Sequence, residues 1–321
     1  MSSTITGDKL LYNLDRVLGV RKPITADVFL NNFCNNLCPY CTYRRWELSK
    51  GAESMKYDDF VKYARKLIDI GVRGIILTGG GEPTISKDFD PICSWLQFNQ
   101  IHYGINTNFN VLKRIAPDYL KVSLDAWDED SYEAARGVRK YQTVRNNIIE
   151  YANWKRELNV HTRLGIQSVI KEPEEVRNFY EGNKDLPVDY IVMRPIESTG
   201  GKHYSSYEMK EKAKMALSAI EDIKKYDDRV IANFKWKMLD ETPGDSCKAH
   251  WAQIALNEKG EVIYCCHKPY EVIGHIMDDD ILDKYEKAKT NTAMCDVPCR
   301  LTAPNVFVKN LESKKTDSMF I

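Results

Sequence analysis

The sequence predicts an α/β fold: a partial (β/α)6 TIM-like barrel followed by a small cysteine-bearing C-terminal extension that contains a β-hairpin. Three observations carry this. Strand and helix patterns alternate through the first two thirds of the 321 residues. Several apolar runs stop at glycine, asparagine or cysteine turns, the places where a ligand-binding strand edge would lie. Near residue 200 the alternation ends and a different pattern begins.

Taken in order, residues 26–31 (ADVFLN) read as an apolar strand that ends just before the first cysteines. Phe60, Ala64, Leu67 and Ile68 recur at i, i+4, i+7 and i+8 and so predict one apolar helix face. Residues 74–78 (GIILT) read as a buried strand stopped by Gly79-Gly80-Gly81. Residues 88–97 predict a short helix, and residues 101–107 and 119–124 two further strands. Val144, Ile148, Tyr151 and Ala152 mark another helix stripe. Residues 161–170, 174–180 and 190–193 then read as strand, helix and strand. About six βα units of this kind imply a parallel sheet covered by helices. Right-handed crossovers place all the strand C-terminal ends on one edge, where ligands sit in such folds. Eight units would close a barrel; six leave it open.

Beyond residue 200, Ala213, Leu217 and Ile220 lie in a lysine-rich helix whose charges read as a solvated face. Residues 237–246 (KMLDETPGDS) read as a linker. Residues 253–256 and 261–265 then predict a hairpin about Asn257-Glu258-Lys259-Gly260, and residues 278–290 one more helix. The expected organisation is an N-terminal segment (1–23), the partial barrel (24–236), the cysteine-bearing extension (237–309) and a polar tail (310–321) ending in Met319-Phe320-Ile321.

Lys+Arg and Asp+Glu both number 46, so net charge gives no support for broad electrostatic capture of nucleic acid or membrane. No apolar run approaches the roughly 20 residues that cross a bilayer, and the first residues lack the basic-then-apolar order of a secretory signal. The expectation is a cytoplasmic protein. In that reducing compartment clustered thiols are metal ligands or catalytic groups more often than disulfides. Of nine cysteines, Cys34, Cys38 and Cys41 form one group and Cys247, Cys265, Cys266, Cys295 and Cys299 another; Cys93 reads as a small buried helix residue.

Thiolates suit zinc or iron–sulfur clusters. Structural zinc takes four protein ligands, whereas CNNLCPYC offers three in one tight loop. A four-iron cluster held by three thiolates keeps one iron open, which accounts for the odd number. In the second group, Cys247, Cys265, Cys295 and Cys299 supply four thiolates, enough to close a second cluster or a structural zinc site.

The C-x3-C-x2-C spacing after the first strand resembles the signature of the radical S-adenosylmethionine (SAM) superfamily, and other motifs follow in that family's order. Gly79-Gly80-Gly81-Glu82-Pro83-Thr84 is similar to its GGEP motif; Asn106-Thr107-Asn108 and Ser123-Leu124-Asp125 stand at the next two strand ends, and Arg136-Gly137 matches a further family feature. The resemblance covers roughly residues 24–196. It implies an open-iron [4Fe-4S] cluster on Cys34, Cys38 and Cys41, with SAM bound beside it. Tyr40 would lie near the adenine, the Gly80 and Gly81 backbone and the Glu82 carboxylate would meet the amino group, and Asn106, Ser123 and Asp125 would supply polar contacts. Asp125 equally suits a helix cap. Arg163 and Arg194, on later strands, are structural arginines or barrel-lining ones.

The implied chemistry is reductive cleavage of SAM to a 5′-deoxyadenosyl radical that takes a hydrogen atom from substrate, with electrons from a flavodoxin or ferredoxin. The second cysteine group resembles the Twitch or SPASM extension of that family, which implies an auxiliary [4Fe-4S] cluster on Cys247, Cys265, Cys295 and Cys299. Cys266 is then a substitute ligand, an inert neighbour or a hydrogen-atom donor, and His250 and His267 read as structural or surface residues. The substrate is not legible. An oxidation, epimerisation or isomerisation of a small molecule, sugar or peptide fits. So does a modified nucleotide or nucleobase, prompted by Arg44, Arg45 and Trp46. Few residues precede the barrel, which lowers the peptide reading. A zinc-stabilised binding module is the non-enzymatic alternative.

Overall fold

The computed structural model describes residues 22–41, 43, 51–196, 207–233, 236, 247, 252–265 and 268–290. Ten strands form a single sheet in the order β10-β9-β8-β1-β2-β3-β4-β5-β6-β7. They are β1 (Thr25–Phe29), β2 (Gly74–Thr78), β3 (His102–Thr107), β4 (Tyr119–Ser123), β5 (Arg163–Ile170), β6 (Tyr190–Pro195), β7 (Val230–Ala232), β8 (Gln253–Leu256), β9 (Glu261–Cys265) and β10 (Lys268–His275). Neighbours from β1 to β7 are all parallel. Their crossovers carry helices α1 (Tyr57–Asp69), α2 (Phe89–Phe98), α3 (Glu129–Arg136), α4 (Tyr141–Glu157), α5 (Glu174–Asn183) and α6 (Tyr207–Lys224), and α7 (Ile281–Thr290) follows β10. The first and last strands of the order do not pair, so the barrel is open, as the count of βα units predicts.

The core lies between helices and sheet. Leu77, Ile105, Val122, Ile166 and Met193 meet Phe60, Leu67, Ile92, Val144, Ile148 and Phe179 from the helices. Alternation along each strand leaves Thr78, Asn106, Ser123 and Gln167 for the opposite face. On α1, Phe60, Ala64 and Leu67 are buried as the stripe requires, but Ile68 is 40% exposed, so the apolar face is narrower than the sequence reading.

Two features differ from the sequence expectation. A seventh parallel strand, β7, extends the barrel by only three residues, too short for any periodicity to register. The hairpin β8–β9 does not stand apart from the barrel. β8 pairs in parallel with β1, Thr25 opposite Gln253 and Val28 opposite Leu256, so the sheet runs on through β9 and β10.

At the N-terminal ends of the strands, loop aspartates bond strand backbone. Asp118 accepts the Tyr103 N–H at 2.7 Å and Asp189 the Leu164 N–H at 2.7 Å. Among the described residues no helix is long and apolar enough to cross a membrane.

Candidate functional site

The C-terminal end of β1 runs into the loop that bears Cys34, Cys38 and Cys41. None of the three is in a disulfide; Cys38 is buried and the other two are half-buried. The loop is tied to the neighbouring strand ends by backbone bonds. Met55 N–H reaches Leu30 O (2.8 Å), Gly81 N–H reaches Asn31 O (2.9 Å), and Glu82 N–H reaches Phe33 O (2.9 Å). Leu37 N–H bonds Arg136 O at 2.8 Å, so the C-terminus of α3 braces the loop one residue before Cys38.

The glycine turn after β2 exists for this contact. A Cβ on Gly81 would stand 1.8 Å from Phe33 O and 2.3 Å from Asn31 Oδ1, and one on Gly80 would meet Asn31 O at 3.0 Å. The close approach that glycine permits here is therefore that of the chain's own cysteine loop. Glu82 follows, 3% exposed. Its Oε1 accepts from Thr84 N–H (3.1 Å), the Thr84 hydroxyl (2.7 Å) and the Thr107 hydroxyl; its Oε2 accepts from Asn108 N–H (2.7 Å). Burial raises the carboxyl above its ordinary range, and these four donors pull it back. Glu82 thus joins the ends of β2 and β3 through bonds internal to the chain.

An asparagine network extends the brace. Asn108 Nδ2 donates to Asn35 Oδ1 at 2.7 Å and lies 3.7 Å from Cys34 Sγ, which also receives Asn36 N–H at 3.4 Å. Asn110 Nδ2 donates to Asn36 Oδ1 (2.6 Å), and Tyr132 OH donates to Asn110 Oδ1 (3.1 Å). On the concave face Asn106 Nδ2 donates to Thr78 Oγ1 at 3.3 Å, while its buried Oδ1 has no hydrogen-bond partner.

Asp125 is not the cap of the following helix, one of its two sequence readings. The cap of α3 is Asp128, in a capping box with Ser131. Asp125 instead sits just past β4 with its side chain 3% exposed, ion-paired with Arg136, whose side chain is 9% exposed. Its Oδ2 also accepts the Tyr40 hydroxyl at 2.7 Å and its Oδ1 the Val169 N–H at 2.7 Å. Arg136 Nη1 donates to Cys38 Sγ at 3.4 Å and Nη2 to Ser123 O. Burial disfavours charge on Arg136, but Asp125, Tyr40 and Cys38 outweigh it, so the guanidinium stays protonated. Lys171 Nζ stands 5.1 Å from the centroid of the Tyr40 ring, whose hydroxyl burial holds well above its ordinary pKa. The sequence reading named Tyr40, Asp125, Arg136, Cys38 and Ser123 but not Val169 or Lys171, and it missed the links among them. The one local signal was Gly137, whose left-handed φ of 72° ends α3 and whose missing Cβ leaves room for Leu37, 2.7 Å away.

The other predicted residues are placed as follows. Arg194 is the penultimate residue of β6, on the same edge as the cysteine loop, whereas Arg163 is the first residue of β5, at the opposite edge, over the Tyr190 ring. Cys93 is buried on α2 and its thiol is pushed up by burial, as befits an inert packing residue. Cys247 and Cys265 are buried and free of disulfides. Cys265 ends β9 two residues beyond the Ile263–Ala255 pair, level with the start of β1 rather than with its cysteine-bearing end. Arg44, Arg45, Trp46, His250, Cys266, His267, Cys295, Cys299 and the tail lie outside the described residues.

The donor set fits a cluster better than a single ion. Three uncrosslinked thiols share one loop, and two of their sulfurs receive hydrogen bonds from amide or guanidinium donors. Among the described residues no group of three or more His, Cys, Asp or Glu side chains is placed to hold one metal ion. Ligands of a four-iron cluster each bind a different iron and need no such convergence.

Comparison with known proteins follows the same line. The model of the radical SAM superfamily matches residues 28–178. GTP 3′,8-cyclase of Staphylococcus aureus is 25% identical over 195 residues, 56% of this chain and 56% of that protein. A probable GTP 3′,8-cyclase of Thermoplasma volcanium is 27% identical over 220 residues, 62% of this chain and 64% of that one. The matches thus span little more than half the length of these curated relatives. Among solved structures, Streptococcus suis SuiB bound to its precursor peptide SuiA aligns with a TM-score of 0.65 at 15% identity, covering 96% of this chain and 77% of SuiB. The AdoMet-bound anSMEcpe aligns with a TM-score of 0.62 at 15% identity, covering 83% of each chain. These two likenesses are of fold.

Proposed function

Because the chain carries a radical SAM domain over residues 28–178, we propose that Cys34, Cys38 and Cys41 hold a [4Fe-4S] cluster with one open iron and that SAM binds beside it. The observation that carries this reading is the loop of three cysteines outside disulfides at the end of β1, braced by the ends of β2, β3 and α3. When bound, the cluster and SAM supply a one-electron cleavage that yields a 5′-deoxyadenosyl radical and removes a hydrogen atom from substrate. The chain's own residues bind and orient. The Gly80 and Gly81 backbone would meet the SAM amino group, and Glu82, with its carboxylate engaged by four donors, holds that turn in shape. Asn106 offers a buried acceptor without a partner among the described residues. Ser123 and Asp125 would supply polar contacts from the adjoining strand end, and Tyr40 would border the adenine. An exogenous one-electron donor of the flavodoxin or ferredoxin kind reduces the site.

Residues 237–309 are a Twitch- or SPASM-like region in this reading, with Cys247, Cys265, Cys295 and Cys299 around an auxiliary [4Fe-4S] cluster. Cys247 and Cys265, buried and outside disulfides, suit it, and the reading places the protein in the cytoplasm. Cys266 is the candidate hydrogen-atom donor for an epimerase-type or isomerase-type outcome; Cys266→Ala would then cleave SAM without completing turnover.

Anaerobic reconstitution tests the reading. Wild-type protein takes up about eight irons per chain if both clusters form. Cys34→Ala loses about half of them and forms no 5′-deoxyadenosine. Zinc in place of iron, or 5′-deoxyadenosine from that variant, overturns the assignment.

For the substrate, the named activity of the curated relatives supports a purine nucleotide over an oxidised small molecule, sugar or peptide. Incubation of the reduced, SAM-loaded protein with GTP decides: GTP consumed in step with 5′-deoxyadenosine supports a nucleotide, and GTP left intact removes that reading.

A further inference from the structure

Arg136 is the most constrained charged group of the site. Its guanidinium is walled in by β4, α3 and the cysteine loop, with Nη2 on Asp125 and on Ser123 O and Nη1 on Cys38 Sγ at 3.4 Å. Its main-chain oxygen takes the Leu37 N–H, so one residue holds the loop by backbone and by side chain together. One uncommon backbone conformation lies beside it. Asp125 has φ 54°, a region sparsely populated by residues with a Cβ, although aspartate enters it more readily than most. Asp125 N–H on Gln167 O (3.2 Å) and Val169 N–H on Oδ1 (2.7 Å) hold it so. A conformation of this kind persists where surrounding structure over-determines it, most often at functional sites.

We propose that Arg136 is a positioning residue for the cluster: it fixes the Cys38 sulfur and, as a permanent cation and donor against that one ligand, raises the midpoint potential of the cluster. Reduction adds one negative charge to a cluster already ligated by thiolates. A fixed cation and hydrogen bond at a ligand sulfur stabilise the reduced form more than the oxidised one. The three thiolates would thus be unequal, with Cys38 on guanidinium and Cys34 on neutral amides. Asp125 keeps the arginine in register, and its own charge is shared with the Tyr40 hydroxyl and the Val169 N–H. This inference rests on the proposal that Cys34, Cys38 and Cys41 hold a four-iron cluster.

The test is a mediator-poised redox titration of the reconstituted protein, followed by the spin signal of the reduced cluster that Cys34→Ala abolishes. Arg136→Lys keeps a charge but loses the planar fork. The double variant Asp125→Asn/Arg136→Met removes both charges together. In the double variant the reduced-to-oxidised ratio at fixed potential is expected to fall about tenfold, a midpoint about 59 mV lower for one electron. Arg136→Lys should fall severalfold with undiminished iron. An unchanged midpoint in iron-loaded Arg136→Lys overturns the inference, and this variant decides alone if the double variant does not load. Wild-type protein without a cluster on this loop would instead sink the functional reading beneath it.

Discussion

The two ends of the parallel strands use the same local device in different surroundings. At the N-terminal ends Asp118 and Asp189 each accept a strand N–H, from Tyr103 and Leu164. At the C-terminal ends Asp125 does the same for Val169. The first two side chains are 52% and 43% exposed and pair with His102 and with Lys155. Asp125 is 3% exposed and pairs with a buried arginine. Water screens the first pairs, so they contribute little beyond a hydrogen bond. No such screening reaches the last, so its two charges depend on one another. A bond that merely finishes a strand at one end becomes, at the other, part of the wall of the site.

Removing one charge at each end should separate them. Asp125→Asn leaves Arg136 buried without its counter-charge and should cost about 3–5 kcal/mol in denaturant unfolding. Asp118→Asn should cost at most about 1 kcal/mol. Equal losses would dissolve the distinction. A smaller effect is expected in the glycine turn. Gly81→Ala drives a Cβ into Phe33 O and should cost about 1–3 kcal/mol together with reduced iron uptake, whereas Gly51, with nothing within 4 Å of its missing Cβ, should accept alanine almost silently.

The smallest effect concerns pH. Hydrogen bonds from Ser131 hold the Asp128 carboxyl below its ordinary range. That stabilisation is present above the unfolded carboxyl pKa and fades as pH falls through the lower folded one. Asp128→Ala should therefore lose about 1 kcal/mol near neutral pH, and the gap from wild type should narrow between about pH 5 and pH 2. A gap independent of pH would show that the cap acts without its charge.

The sequence showed the cysteines of the candidate site more readily than what holds them. Cysteine spacing is local, and the apolar runs of β1 to β6 are legible because each is a short, continuous signal. The helix α3 was foreseen only as something Asp125 could cap and received no range, although the Asp128/Ser131 box and Gly137 bracket it, because eight residues carry too few turns for a stripe. β10 escaped because Pro269 interrupts its pattern. The Tyr40–Asp125 bond joins residues 85 apart and the Arg136–Cys38 contact residues 98 apart. No window on the sequence contains such a pair; only the strand order brings them together. Glu82 illustrates the converse: its motif was plain, but its four internal donors belong to β3 and to the turn that follows Glu82 itself.

The parallel pairing of β8 with β1 has a consequence for how the protein is made. β1 is synthesised before β2 to β7, yet its neighbour on the other side, β8, is complete only at residue 256. Closing that loop is entropically affordable, because the cost grows only with the logarithm of its length. It is nevertheless late, and until then β1 presents an unpaired edge beside three thiols. A chain stopped before β8 should thus associate through that edge. The strand that bears the cysteine loop thus gains its second neighbour only once β8 has been made, which sets the earliest moment at which an iron–sulfur donor would meet a finished sheet.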